Sequence, residues 1–145
     1  MMTTENNGES YSKSLVNVCG YEIVYKRANG GQWVRILKNS SGWFILVTDS
    51  DDPLMRGLAS LLLKFHKDAL LSLSLADGKI RRCKKQTETK LGEERQRLSN
   101  DIRFVLECAV AEKDATGLIG WIEVISGMSA SADRLNKRAD RLACY

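Results

Sequence analysis

From Tyr21 to Thr48 the chain is written in period two and cut twice by turn-forming residues, a pattern compatible with few architectures. Tyr21, Ile23 and Tyr25 alternate with Glu22, Val24 and Lys26, and Asn29-Gly30-Gly31 then supplies the positive φ that a tight hairpin needs. Trp33 to Leu37 resumes the alternation, Asn39-Ser40-Ser41-Gly42 closes it, and Trp43 to Thr48 adds a β-branched and aromatic stretch. Successive side chains of a strand point to opposite faces, so these runs predict a three-stranded antiparallel meander.

Helices are expected to follow. Asp49-Ser50-Asp51-Asp52-Pro53 ends the sheet and opens a helix, because Asp or Ser caps free N–H groups and Pro suits the first helical position. Leu54, Leu58, Leu61, Leu62, Phe65 and Ala69 recur at helical spacing. Leu71-Ser72-Leu73-Ser74-Leu75 returns to strict alternation, and Asp77-Gly78 ahead of Lys79 to Lys85 reads as a second hairpin. Leu98, Ile102, Val105, Leu106, Ala109 and Val110 then trace one face of a long helix ending near Asp114.

The segment 117–127 admits helix or strand, with helix preferred, and a last helix begins at Ser129 to Asp133. The expected fold is α+β, with an antiparallel sheet of about five strands in the order β-β-β-α-β-β-α-α, packed by helices. Residues 1–14, polar with Tyr11 as their one aromatic, read as a flexible lead-in, with a short helix near Tyr11 to Asn17 as the alternative. Residues 15–145 read as a single domain, of which 116–145 is a C-terminal helical extension.

A chain of 145 residues buries roughly 70% of its unfolded surface, and 43% hydrophobic with 28% charged residues is ordinary globular composition. Neither a metal nor a disulfide is needed for folding. Cys19, Cys83, Cys108 and Cys144 are widely spaced without a C-x-x-C pair, and His66 is the single histidine, so no metal site and no cofactor are expected. Met1 to Ser14 lacks the apolar core of a secretory signal, and the longest apolar run, Leu58 to Leu63, is too short to span a bilayer. A cytoplasmic protein with reduced thiols is expected.

No catalytic constellation is legible, and a non-enzyme is expected. Asp49, Asp51 and Asp52 read as a helix cap rather than a cation site, and His66 as a rim residue beside an apolar stripe. Cys83 sits among Arg81, Arg82, Lys84 and Lys85, whose charges would lower a thiol pKa on close approach, yet a plain strand residue is the preferred reading. Gly30-Gly31 and Gly117-x-x-Gly120 lack the context of a phosphate loop, and no G-x-S-x-G is present.

Two binding chemistries remain. Tyr21, Tyr25, Trp33 and Trp43 can anchor a partner protein if their sheet face is open, the competing use being core packing. A net charge of +4 permits nucleic-acid contact through Lys79, Arg81, Arg82, Lys84 and Lys85, joined by Arg134, Lys137, Arg138 and Arg141 on the outer side of the last helix.

The segments Trp33-Val-Arg-Ile-Leu37 and Trp43-Phe-Ile-Leu-Val47, the Leu54 to Leu63 helix, the Leu71 to Ile80 run with its Asp-Gly, and the Leu98 to Val110 helix together carry a resemblance. In their order they resemble the class I type III secretion chaperone fold and its relatives in bacteria, over about Tyr21 to Asp114. The resemblance implies a homodimer that binds an extended segment of another protein across apolar sheet patches. The expected function is thus capture or occlusion of a partner protein, as a chaperone or small inhibitor of a bacterium or its mobile elements. Nucleic-acid binding is the alternative.

Overall fold

The structure, a computed structural model, describes residues 11–48 and 51–144. The described residues form strands β1 (Tyr11–Val18), β2 (Tyr21–Ala28), β3 (Gly31–Lys38) and β4 (Ser41–Val47), then helices α1 (Pro53–Ile80), α2 (Lys85–Val110) and α3 (Ala115–Leu142). The strands make one antiparallel sheet in the order β1-β2-β3-β4. The α+β class and the antiparallel sheet agree with the sequence reading, while the strand number and the order of elements do not.

Three differences have identifiable causes. Tyr11–Val18 is a strand, although its first residues read as lead-in; 1–10 lie outside the described residues. Its alternation is broken by an irregularity between Ser14 and Val16, and its turn is Cys19-Gly20, with φ of 53° and 81°. Cysteine is rare at such a position, so the hairpin signal was masked.

The second difference is Leu71 to Lys85, expected as two strands. Leu73, Ala76 and Ile80 are buried and continue the stripe of Leu62, Phe65 and Ala69, so α1 runs on through Asp77-Gly78 to Ile80. A core face sustained over 28 residues outweighs five residues of local alternation. Third, Leu118, Ile122, Ile125, Ala132, Leu135 and Ala139 form one buried stripe, and α3 therefore passes unbroken through Ser129.

Two of the three helix starts among the described residues, those of α1 and α3, use an aspartate. Asp52 Oδ1 accepts from Leu54 N at 3.0 Å and from Met55 N at 3.4 Å, with Pro53 next in sequence. Asp114 Oδ1 accepts from Gly117 N at 2.8 Å ahead of α3. Asp49 lies outside the described residues.

The chain divides into two compact units. One holds the sheet, α1 as far as Leu61, and 113–119; the other holds most of the helical residues from Leu62 onward. In the first, Ile23 pairs with Ile36 and Tyr25 with Val34, so Val18, Tyr21, Ile23, Val34 and Ile36 share the sheet face that α1 covers with Leu58 and Leu61. In the second, Leu91, Ile102 and Val105 of α2 are buried, as are Ile122, Ile125 and Leu135 of α3. There Arg95 Nε donates to the Leu73 carbonyl at 2.9 Å.

Gly57 lets the first turns of α1 approach the sheet closely. A Cβ there would stand 2.6 Å from Ile23 Cγ2 and 2.9 Å from Val34 Cγ1, inside van der Waals contact with two buried strand residues. Ala is favoured over Gly in a helix by up to about 1 kcal/mol, while overpacking a core costs typically 1–3 kcal/mol. Gly57→Ala is expected to lower stability by about 1 kcal/mol or more despite its better helix propensity, read as the urea midpoint. An unchanged or raised midpoint would show that the sheet yields at Ile23.

Candidate protein-binding face

The pairing registers sort every strand residue onto one of two faces. Val24 lies across from Arg35, which lies across from Phe44; Lys26, Trp33 and Leu46 form the next row, and Glu22, Leu37 and Gly42 the row on the other side. These rows lie on the face opposite to Ile23 and Ile36. Phe44 is 48% and Leu46 53% exposed, in two adjacent rows of the outer face.

The patch has internal order. Trp33 and Phe44 meet edge to face at 6.4 Å between centroids, and the Arg35 guanidinium carbon lies 5.0 Å from the Phe44 centroid. Arg35 Nε is buried and has no hydrogen-bond partner. A shallow cavity of about 350 Å³ is lined by Lys26, Ala28, Gly30, Trp33 and Phe44. The result is an apolar, aromatic floor with two cations set into it.

The four anchors expected from sequence do not sit together. Tyr21 is buried on the helix-facing side, edge to face with Trp43 at 6.2 Å, and the Lys38 ammonium lies 5.1 Å from its ring. Trp43 Nε1 donates to Ser60 Oγ at 3.1 Å, which ties β4 to α1. Tyr25 shares that face, donating its hydroxyl to Gln32 Oε1 and touching Tyr11 edge to face at 6.1 Å. Only Trp33 of the four is on the outer face.

Phe44, Leu46 and Arg35 were missed. Trp43-Phe44-Ile45-Leu46-Val47 is apolar throughout, so its alternation cannot say which parity faces the core. The position of Gly57 against Ile23 and Val34 is what resolves it.

The basic residues considered for nucleic acid are largely engaged within the helical unit. Lys79 Nζ donates to Asn136 Oδ1 at 2.9 Å and lies 3.6 Å from Asp140 Oδ1; Arg81 pairs with Asp77, Arg138 with Glu94, and Lys137 with Asp133 at 2.9 Å. Arg134 donates to Ser131 Oγ at 2.9 Å. The Arg82 carbonyl accepts from Cys144 N at 2.9 Å. Lys84, Lys85 and Arg141 are exposed and have no acidic partner among the described residues. The run from Lys79 is a helix end and a turn, so the two-faced strand expected there does not exist.

Cys83 is buried instead of displayed among cations. Its Sγ lies 3.5 Å from the Lys79 carbonyl and 4.0 Å from that of Ala139, both acceptors. Burial pushes the thiol above its ordinary value, with Cys144 and Glu88 adding in the same direction. Arg82, Lys84 and Lys85 beside it are exposed. Among the described residues no group of His, Cys, Asp or Glu is placed to hold a metal ion, and no helix is long and apolar enough to cross a membrane.

No family model, no curated protein and no solved structure matches the chain.

Native thiol labelling at neutral pH is expected to modify exposed Cys19 and Cys144 quickly and Cys83 only on unfolding. The folded chain keeps Cys83 protonated to higher pH than the unfolded chain does. Its contribution is therefore complete below the ordinary thiol range and is lost as pH rises through about 8.5 and beyond. Urea unfolding across that range should show a steeper loss for the wild type than for Cys83→Ala; parallel pH profiles would contradict this.

Proposed function

We propose that this chain is a non-enzymatic protein-binding domain that holds an extended segment of another protein along β4, a chaperone-like or inhibitor role. The observation that carries the reading is the contrast between the sheet's two edges. β1 contains Lys13 among serines, is exposed over its first half, and is interrupted between Ser14 and Val16. Charge and irregularity of this kind discourage strand pairing. β4, Ser-Gly-Trp-Phe-Ile-Leu-Val, carries no charge and no proline and, among the described residues, is paired on one side only.

A strand added beside β4 would gain main-chain hydrogen bonds and bring every second side chain next to Phe44 and Leu46 on the outer face. Trp33 and Phe44 would then act as anchors, and Lys26 and Arg35 would favour acidic residues flanking the partner's apolar positions. Four unpaired cysteines suit a reducing, cytoplasmic setting.

A second reading rests on Arg35 over Phe44. Two rings and two cations on an open sheet also suit stacking of single-stranded bases. It has less behind it, because strand addition also accounts for the uncharged edge.

Panning a displayed library of random peptides against the chain separates the two. Enrichment of extended sequences with alternating apolar residues and nearby Asp or Glu is expected. Trp33→Ala or Phe44→Ala should weaken a selected peptide by roughly 2 kcal/mol, about thirtyfold in Kd. Peptides that bind both variants as well as the wild type would remove this face from the reading. No peptide enrichment, with salt-sensitive retention on a single-stranded oligonucleotide, would replace it with the second reading.

A further inference from the structure

Within the helical unit, the turn between α1 and α2 and the end of α3 bring two free thiols together. Cys83 is fixed in the turn, its N donating to the Ile80 carbonyl at 3.0 Å, and Arg82 N donates to the Lys79 carbonyl at 3.0 Å. Cys144 follows α3, where Ala143 N donates to the Ala139 carbonyl at 2.9 Å. The two segments are tied directly, because Cys144 N donates to the Arg82 carbonyl at 2.9 Å.

That bond limits how far apart the two cysteines can be. The Arg82 carbonyl belongs to the peptide unit that ends at the Cys83 Cα, so standard backbone dimensions hold the Cα atoms of Cys83 and Cys144 within about 7 Å of each other. Any bend at the bonded atoms brings them nearer, and a disulfide spans about 4.4–6.8 Å between Cα atoms. Cys83 Sγ already faces the last turn of α3, 4.0 Å from the Ala139 carbonyl. Burial is the larger cause of the raised Cys83 pKa and the charge of Cys144 is the next, a coupling that requires the two thiols to be close. Cys83 is buried and Cys144 exposed, so one member of the pair meets solvent and the other is sheltered.

We propose that Cys83 and Cys144 form a redox clip, oxidised by a hydroperoxide to a disulfide that fastens the end of α3 to the turn between α1 and α2. Cys144 reacts first, as its thiolate. Its sulfur attacks a peroxide oxygen, the O–O bond breaks, and the hydroxide or alkoxide released takes up the proton the thiol lost, leaving a sulfenic acid on Cys144. The Cys83 sulfur then attacks the Cys144 sulfur. The S–S bond forms, the S–O bond breaks, and hydroxide leaves as water with the Cys83 proton. Two thiols have given up two electrons and the hydroperoxide has accepted them; a dithiol reductant reverses the step by exchange.

The disulfide closes a ring over residues 83–144 that contains α2 and α3 whole. A ring of that length removes much of the freedom of the unfolded chain. A reducing compartment leaves the clip open, with the main-chain bond to Arg82 holding the end of α3, and oxidant closes it transiently. This inference does not rest on the β4 reading, since both cysteines lie in the helical unit.

Treatment of the reduced full chain with stoichiometric hydrogen peroxide tests the clip. The intact mass should fall by two hydrogens, and trypsin without reductant should release Cys83-Lys84 joined to Leu142–Tyr145. The urea midpoint of the oxidised chain should rise by on the order of 1 M, and dithiothreitol should return it. Cys144→Ser, a change at an exposed position, should abolish both the link and the rise while leaving the far-ultraviolet circular dichroism unchanged. A link made by Cys19 or Cys108 instead overturns the proposal, as does sulfinic acid accumulating on Cys144 while Cys83 stays a thiol. So does a linked chain that unfolds at the same urea concentration as the reduced one, or a rise that survives in Cys144→Ser.

Discussion

The contact of Gly57 with Ile23 and Val34 assigns an identity to each side of the sheet. Alternation makes a sheet with two different faces but does not say which is core, and in β4 both parities are apolar. Because the missing Cβ lets α1 settle on the Ile23 and Ile36 side, Tyr21 is buried and Trp43 half-buried on that side. Trp33, Phe44 and Leu46 are what remains outside. The Trp43 indole donating to Ser60 reinforces the same choice from the other end of the contact. An apolar outer face is therefore a consequence of how the helix seats.

Much of this fold was legible in the sequence, and where it was not the reason is physical. β2, β3 and β4 were found because Asn29-Gly30 and Asn39-Ser40 are turn chemistry between alternating runs. β1 was hidden by its irregularity and by a Cys-Gly turn. In α1 the same leucines satisfy two periods at once: Leu71, Leu73 and Leu75 alternate as a strand would, yet Leu73 alone falls on the helical core stripe. Only the residues on both sides, from Leu58 to Ile80, decide between the periods. The two leucines left over are the ones that face solvent. For the site, Trp33 and the principle of an aromatic sheet face could be read in advance. Phe44 and Arg35 required knowing which parity is buried.

Net charge counts residues and ignores pairing. Lys79, Arg81, Lys137 and Arg138 each face an acid within hydrogen-bonding or ion-pair range. Exposed pairs of this kind add about 0–1 kcal/mol each to stability, so they are minor structural features. They nevertheless lower the positive field available to a polyanion. In the proposed binding reading the cations that would bear on a partner are Lys26 and Arg35 on the sheet.

Lys26 and Arg35 share a physical role. An open, uncharged edge strand beside an apolar face is the feature that drives uncontrolled sheet association, and a leucine stripe on a helix invites non-specific clustering. A cation set into such a surface keeps its aliphatic stem in the apolar layer and its head in water, so it costs little contact area. It also penalises any arrangement that brings two copies of itself together. Lys26 and Arg35 thus oppose stacking of the outer face on another copy while tolerating a segment with acidic residues. In the proposed reading the sheet face would stay open to one class of partner because a charge stands where the wrong partner would have to bury it.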